Sequence, residues 1–505
     1  MSDQPENKEN QSLSQKALGG VSVMGLTVGM QMALQLISIA VLARILTPTE
    51  FGIVAAANIV IAFSNMFSDI ALGSAIIQLK DITEKHIRVA FTLSMASSLF
   101  VALLLIISAP HIAVFFQIPE ITNVIRVLAI VFLWTGLSMV AENLMSRSFR
   151  YKTLGVIKIA GSFIAIIVTI SLALAGYSYW SIVIGVMAQS FLAMVLMMIA
   201  QKHSCRPSFD LQSMKDLMIV GGGLSMSRII NYAALNADNF FIAKFVGAES
   251  LGFYDRAYRL AGFPAQIFDK VAAKVALSSY ARAQEDKARM NFAYRRGLSL
   301  TALVAMPLTF ILWALGPEII LIVLGAKWES ATLPFIILVS ATFFRVSYKV
   351  SQSVIISVGR VYVFAGIQML YAAMVGVGCY MAYPHGIEAV AYAVTGSIVM
   401  NFVMLSYCAS KFTNLLLLDF LKTVMNGVII TALLAVITLP TLFLLRSLLP
   451  PILVFLLVSV LIGFLAIFML VKPYKWLWGD NGLWLREQVL SVLEKKLPHA
   501  LKKLY

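Results

Sequence analysis

A run of apolar stretches of bilayer-crossing length, joined by short polar links, constrains this chain more than any other feature. A membrane core takes roughly 20 apolar residues per helical crossing. Reading between charges gives six stretches, Leu18–Ala43, Phe51–Ser68, Val89–Pro110, Val127–Ala141, Ile159–Ala175 and Tyr179–Ala200. Two charge-bearing segments follow, Leu217–Gly247 and Leu251–Ala281, then Gly297–Pro317, Ala331–Gly359, Val361–Tyr383 and Ala389–Ser410. Thr423–Leu445 and Leu448–Val471 complete fourteen. The expected fold class is therefore an all-α, polytopic membrane protein with 14 transmembrane helices. The expected organisation is a tail (residues 1–17), six helices (18–200), a polar linker (201–216), six helices (217–410), two more (411–471) and a C-terminal tail (472–505). The tail carries Trp476, Trp478 and Trp484, then Val489, Leu490, Leu493 and Leu497 at helical spacing among lysines, the pattern of an amphipathic helix at the interface.

Composition agrees. Of 505 residues 60% are hydrophobic and 12% charged, against roughly 25% charged in soluble domains. Mean hydropathy is +0.88. No loop is long enough for an extramembrane catalytic domain, so an enzyme is not expected. Cys205, Cys379 and Cys408 offer neither a disulfide framework nor metal-ligand spacing, and no cofactor motif is found. The first 17 residues lack the apolar core of a signal peptide, so the first span itself must direct insertion.

The net charge of +15 is explained by topology rather than by nucleic acid. With the N-terminus inside, 27 of the 39 Lys and Arg residues fall on the cytoplasmic side. Arg44, Arg126, Lys244, Lys327 and Arg446 are the five on the other. That asymmetry predicts two cytoplasmic termini. The remaining seven basic residues lie within spans.

An ungapped offset of 200 pairs Ala33 with Ala233, Ala43 with Ala243, Arg44 with Lys244, Gly52 with Gly252, Ala57 with Ala257, Phe63 with Phe263 and Asp69 with Asp269. It aligns the first span with the seventh and the second with the eighth. Two parallel six-helix repeats are expected, with a site between the lobes.

A charge at the bilayer centre costs at least ~2.5–3.5 kcal/mol, so charges within spans mark a hydrated or ligand-filled interior. Arg256, Arg259, Lys270 and Lys274 fall within about 60° of one another on a helical wheel. Arg228, Asn231, Asp238 and Asn239 share a face of the preceding span, and Arg345, Lys349 and Gln352 form a stripe on the tenth. The first half offers neutral polar stripes, Thr27, Gln31, Gln35 and Ser38, then Asn58, Asn65 and Asp69. Arg228, Arg256, Arg259, Lys270, Lys274, Arg345 and Lys349 are the candidate anion-binding residues of a net-positive cavity. Asp69 and Asp238 are candidates for ion coupling. The bland alternative is that these charges pair internally or snorkel to the headgroups.

The stretches VLARILTPTEFGIVAAANIVIAFSNMFSDIALGSAIIQ (41–78) and NYAALNADNFFIAKFVGAESLGFYDRAYRLAGFP (231–264), with the basic loop ARAQEDKARMNFAYRR, resemble the Wzx-type polysaccharide flippases of the MATE-like MOP superfamily, in their colanic-acid-exporter branch. The resemblance covers spans one to twelve. It implies two six-helix lobes and export of undecaprenyl-diphosphate-linked oligosaccharide units to the periplasmic leaflet for exopolysaccharide or lipopolysaccharide synthesis. It also implies work alongside a polysaccharide polymerase and a chain-length regulator. A diphosphate needs guanidinium or ammonium partners once out of water. Proton or sodium coupling is compatible but not required. A MATE-like exporter of cationic drugs is the alternative, and the positive bias weighs against it. A lipid II flippase is the other, and the absence of arginine before Arg44 in span one weighs against that.

Overall fold

The computed structural model describes the backbone of residues 25, 27–68, 72–79, 81–283, 286–471 and 474–496. It describes their side chains apart from 68, 72, 74, 219–235, 269–283, 470–471, 480, 485 and 488–496. Every regular element among the described residues is helical. In order these are α1 (Thr27–Ile45), α2 (Pro48–Ser68), α3 (Leu72–Gln78), α4 (Glu84–Phe116), α5 (Ile121–Leu128), α6 (Ile130–Arg147), α7 (Tyr151–Leu174), α8 (Trp180–Ala200), α9 (Leu211–Phe245) and α10 (Ala248–Ala283). Then come α11 (Lys287–Ala314), α12 (Gly316–Val323), a 3₁₀ turn (Ala326–Ala331), α13 (Thr332–Ser340), α14 (Thr342–Ser357), α15 (Val361–Ala382), α16 (Ile387–Thr413), α17 (Leu417–Leu448), α18 (Pro451–Val471) and α19 (Lys475–Lys496). Twelve helical segments among the described residues are long and apolar enough to cross a membrane, and they coincide with twelve of the expected spans. The two charge-bearing segments are helices as well, α9 and α10.

Polar residues set the helix ends. The Thr83 hydroxyl accepts from the His86 amide and the His86 ring accepts from the Thr83 amide, a reciprocal cap on α4. Asp210 opens α9 by accepting from the Ser213 amide at 3.0 Å, and Asp286 opens α11 by accepting from Ala288 and Arg289. Gly325 and Gly386 take φ of 102° and 93° to turn the chain into the next helix, which a side chain would oppose. The expected fourth and tenth spans are each interrupted at one alanine, Ala129 between α5 and α6 and Ala341 between α13 and α14.

Two compact units divide the chain, Met1–Asp255 and Arg256–Tyr505. In the first, α7 runs along α8, α4 packs on α6 and α9, and α2 lies against α9. Its inner core is Ala75, Ile76, Val89, Ala90, Val140 and Leu217. In the second, α11 packs on α17 and α14, and α16 lies against both α14 and α15. Small residues bring backbones together where the bilayer supplies no hydrophobic drive. A β-carbon on Gly427 would sit 2.6 Å from the Ala302 carbonyl, and one on Gly136 would sit 2.7 Å from the Ser98 hydroxyl.

The closest approach joins residues related by the offset of 200. A β-carbon on Gly52 would overlap the carbonyl of Ala248. One on Gly252 would overlap the carbonyl of Pro48 and stand 3.2 Å from the Gly52 amide nitrogen. The starts of α2 and α10 thus cross backbone to backbone at two glycines.

The C-terminal tail begins inside the protein. Leu477 and Trp478 are buried against Leu303, Ile430 and Leu434, Trp478 donates its indole N–H to Met469 O, and Asn426 donates to the carbonyls of Trp476 and Leu477. The Arg296 guanidinium lies 3.9 Å from the Trp484 ring centre. The apolar stripe from Val489 onward lies outside the residues whose side chains are described.

Candidate functional site

In the second unit Arg345 of α14 meets α10 at Tyr258 and Gly262. The Arg345 guanidinium lies 5.1 Å from the centre of the Tyr258 ring, a cation–π arrangement. Its Nη1 would stand 3.8 Å from a β-carbon on Gly262, so that glycine leaves room for the fork. Lys349 follows one helical turn later with its Nζ 5.8 Å from the Tyr348 ring centre. The Nε of Arg256 and an Nη of Arg345 are both shielded from solvent. Arg256, Arg259, Arg345 and Lys349 all have partners within the fold. The opposite face of α14 is held by hydroxyls. Ser351 lies 2.9 Å from the Tyr294 hydroxyl and 3.1 Å from that of Ser406, fixing α14 to α11 and α16.

Asp238 is 2% exposed on α9. One oxygen accepts from the buried Tyr254 hydroxyl at 2.9 Å and the other from the Asn239 amide at 2.7 Å. Asp255 is also buried and partnered. Asp69 lies outside the described residues, and Arg228, Lys270 and Lys274 lie on helical backbone whose side chains are outside them.

Part of the polar stripe on α1 serves packing. Gln31 donates to Ser162 at 3.3 Å, and Thr27 is buried where Gly155 of α7 lets it approach. Sequence reasoning missed Glu318, 3% exposed and paired with Arg446. A carboxylate one residue after Pro317 reads as a loop charge until its partner is seen. It also missed Arg147, which donates to the carbonyls of Ile76, Ile77 and Leu79 at the end of α3. Among the described residues no group of His, Cys, Asp and Glu could hold a metal ion.

Among the described residues, twelve helical segments long and apolar enough to cross a membrane define a multi-pass membrane protein. Residues 41–333 match the model of the polysaccharide biosynthesis protein family Polysacc_synt_3, and the chain belongs to that family. It is 26% identical over 429 residues to the teichuronic acid biosynthesis protein TuaB of Bacillus subtilis (strain 168), covering 83% of this chain and 86% of that one. It is 22% identical over 325 residues to the lipopolysaccharide biosynthesis protein WzxC of Escherichia coli (strain K12), covering 63% and 65%. Its fold is that of the lipid II flippase MurJ in an inward closed conformation, with a TM-score of 0.70 at 16% identity over 88% of this chain and 99% of MurJ. The resemblance read from residues 41–78 and 231–264 is thereby established at the level of family and fold.

Proposed function

We propose that this protein moves undecaprenyl-diphosphate-linked oligosaccharide units from the cytoplasmic to the periplasmic leaflet of the bacterial inner membrane. Family membership and the flippase fold support the class of cargo. The observation that carries the mechanism is the α10–α14 face, where Arg345 is sheltered beside Tyr258 and Gly262 with Lys349 one turn away. A diphosphate leaving water gains most from a planar guanidinium fork, and its polyprenyl tail can stay in lipid while the headgroup crosses. Arg228, Arg256, Arg259, Lys270 and Lys274 supply further positive charge in this reading. Outward movement of an anion gains ~2.3 kcal/mol per charge per 100 mV of membrane potential. Asp238, buried beside Tyr254, is the described residue best placed for proton or sodium coupling, and Asp69 is the second candidate.

Fourteen spans with both termini cytoplasmic, arranged as two six-helix repeats and a C-terminal pair, complete the proposal. Reporter fusions after Leu46 and after Lys327 should both read periplasmic, and a cytoplasmic signal at both would overturn that topology. Proteoliposomes carrying a labelled polyprenyl-diphosphate oligosaccharide test the activity. The label should become accessible on the opposite leaflet with this protein present, and Arg345→Ala should lower the rate while the variant stays folded. No movement of the glycolipid by the wild type would refute the function.

A further inference from the structure

The first unit contains a cavity of about 550 Å³ between α2, α4 and α9, well inside the size range of ligand sites. Its walls are Ile59, Phe63, Ile112, Phe115, Phe116 and Phe240, with Asn236 and His111 as its polar residues. Water in such a space needs two to four polar partners per molecule, and these walls offer too few to fill it. Phe63 and Phe115 are 41% and 44% exposed, so the cavity's rim is greasy in a part of the chain where the surroundings are hydrocarbon. A flexible aliphatic chain is the occupant that matches both wall and surroundings.

One cation marks the edge. Lys244 donates to the carbonyl of Phe115, in the last turn of α4, and its Nζ stands 4.3 Å from the centre of the same Phe115 ring that lines the cavity. An ammonium has three donors, so this bond leaves capacity for a phosphate oxygen at the level where α4 ends. We propose that the cavity holds one acyl chain of an anionic phospholipid, with the lipid's phosphate against Lys244. The site shares no residue with the α10–α14 cations, and it stands whether or not this protein moves glycolipids.

Native mass spectrometry of the purified wild type, from micelles doped with equal amounts of phosphatidylglycerol and phosphatidylcholine, tests this without any variant. Phosphatidylglycerol should be retained over phosphatidylcholine by about fivefold, the factor expected for one lysine at an anionic headgroup. Equal retention would overturn the proposal. Lys244→Gln should retain lipid but lose the preference, and a preference that survives it would overturn the role of Lys244. Ala237→Trp, which fills the cavity from its wall, should lose the retained lipid. Polyprenyl phosphate at equal mole fraction should not displace phosphatidylglycerol; if it does, the occupant is the isoprenoid tail instead and the proposal is wrong.

Discussion

Arg446 grips Glu318 through two parallel bonds, Nε to Oε1 at 2.7 Å and Nη2 to Oε2 at 2.8 Å, while Nη2 also donates to Ala314 O at 2.8 Å. The Glu318 side chain is 4% exposed and that of Arg446 42%. The pair fastens α17, the first of the two C-terminal spans, to the short α12. Arg446→Ala leaves a buried carboxylate without its cation, at a cost of about 3 kcal/mol, the low end for a buried pair because the arginine is partly solvated. Thermal unfolding in detergent should show the loss. Replacing both residues by Met should restore most of it, and an unchanged midpoint in Arg446→Ala would mean the pair contributes nothing.

The glycine crossing predicts a sharp contrast between glycines. Gly52→Ala and Gly252→Ala each drive a methyl into backbone, which cannot swing aside, and should destabilise by about 1–3 kcal/mol. Gly366 and Gly376 on α15 have nothing within 4 Å of an added β-carbon. Alanine there should be neutral or gain up to roughly 0.5–1 kcal/mol of helix stability. Melting temperatures of the four variants decide the matter, and a tolerant Gly252→Ala would contradict the packing.

Gly262 tests the cationic face from the side of its neighbour. Gly262→Leu adds bulk toward the Arg345 fork without removing a charge. Glycolipid movement in proteoliposomes should fall while the unfolding midpoint holds. Arg345→Lys should fall between wild type and Arg345→Ala, because charge is kept and the fork is lost. Loss of folding in all three variants would instead make Arg345 a structural pair partner.

Asp210, in the polar link before α9, responds to acid. The Ser213 hydroxyl and then the Ser213 amide hold its carboxyl below the ordinary value of 3.8. A depressed carboxyl stabilises the fold above its unfolded value, and that contribution disappears as pH falls through the folded value. The protection of the Ser213 amide, measured against its intrinsic exchange rate at each pH, should therefore hold at neutral pH and fall only below about pH 4. Asp210→Asn, which does not ionise, should show no such step, and a step in the variant would assign it to another group.

Hydropathy made the number and position of twelve spans legible because exposure to lipid is a property of whole faces. The charge wheel placed Arg345 on a polar stripe of its span, and the residues it meets on α10 are Tyr258 and Gly262 rather than the basic residues of that helix's charged stripe. Partners were another matter. Thr27 and Gln31 have the spacing of a cavity stripe, yet Gly155 and Ser162 on α7 take them up as packing contacts. Glu318 and Arg446 stand 128 residues apart, and a single sequence carries no signal that joins them. Trp478 has the composition of an interfacial anchor, and its burial depends on the space that Leu303 and Ile430 leave, which is a property of three helices together.

The Gly52–Gly252 crossing also bears on ancestry. Pro48 meets Gly252 and Ala248 meets Gly52, and each contact becomes the other when 200 is added to one residue number and subtracted from the other. Such reciprocity defines the isologous interface of a two-fold dimer. A half-length chain pairing with a second copy of itself would make this contact twice, and a tandem duplication would preserve it within a single polypeptide. After such a duplication both sides of the interface would mutate independently, so that one copy would be free to carry Arg44 where the other has Lys244.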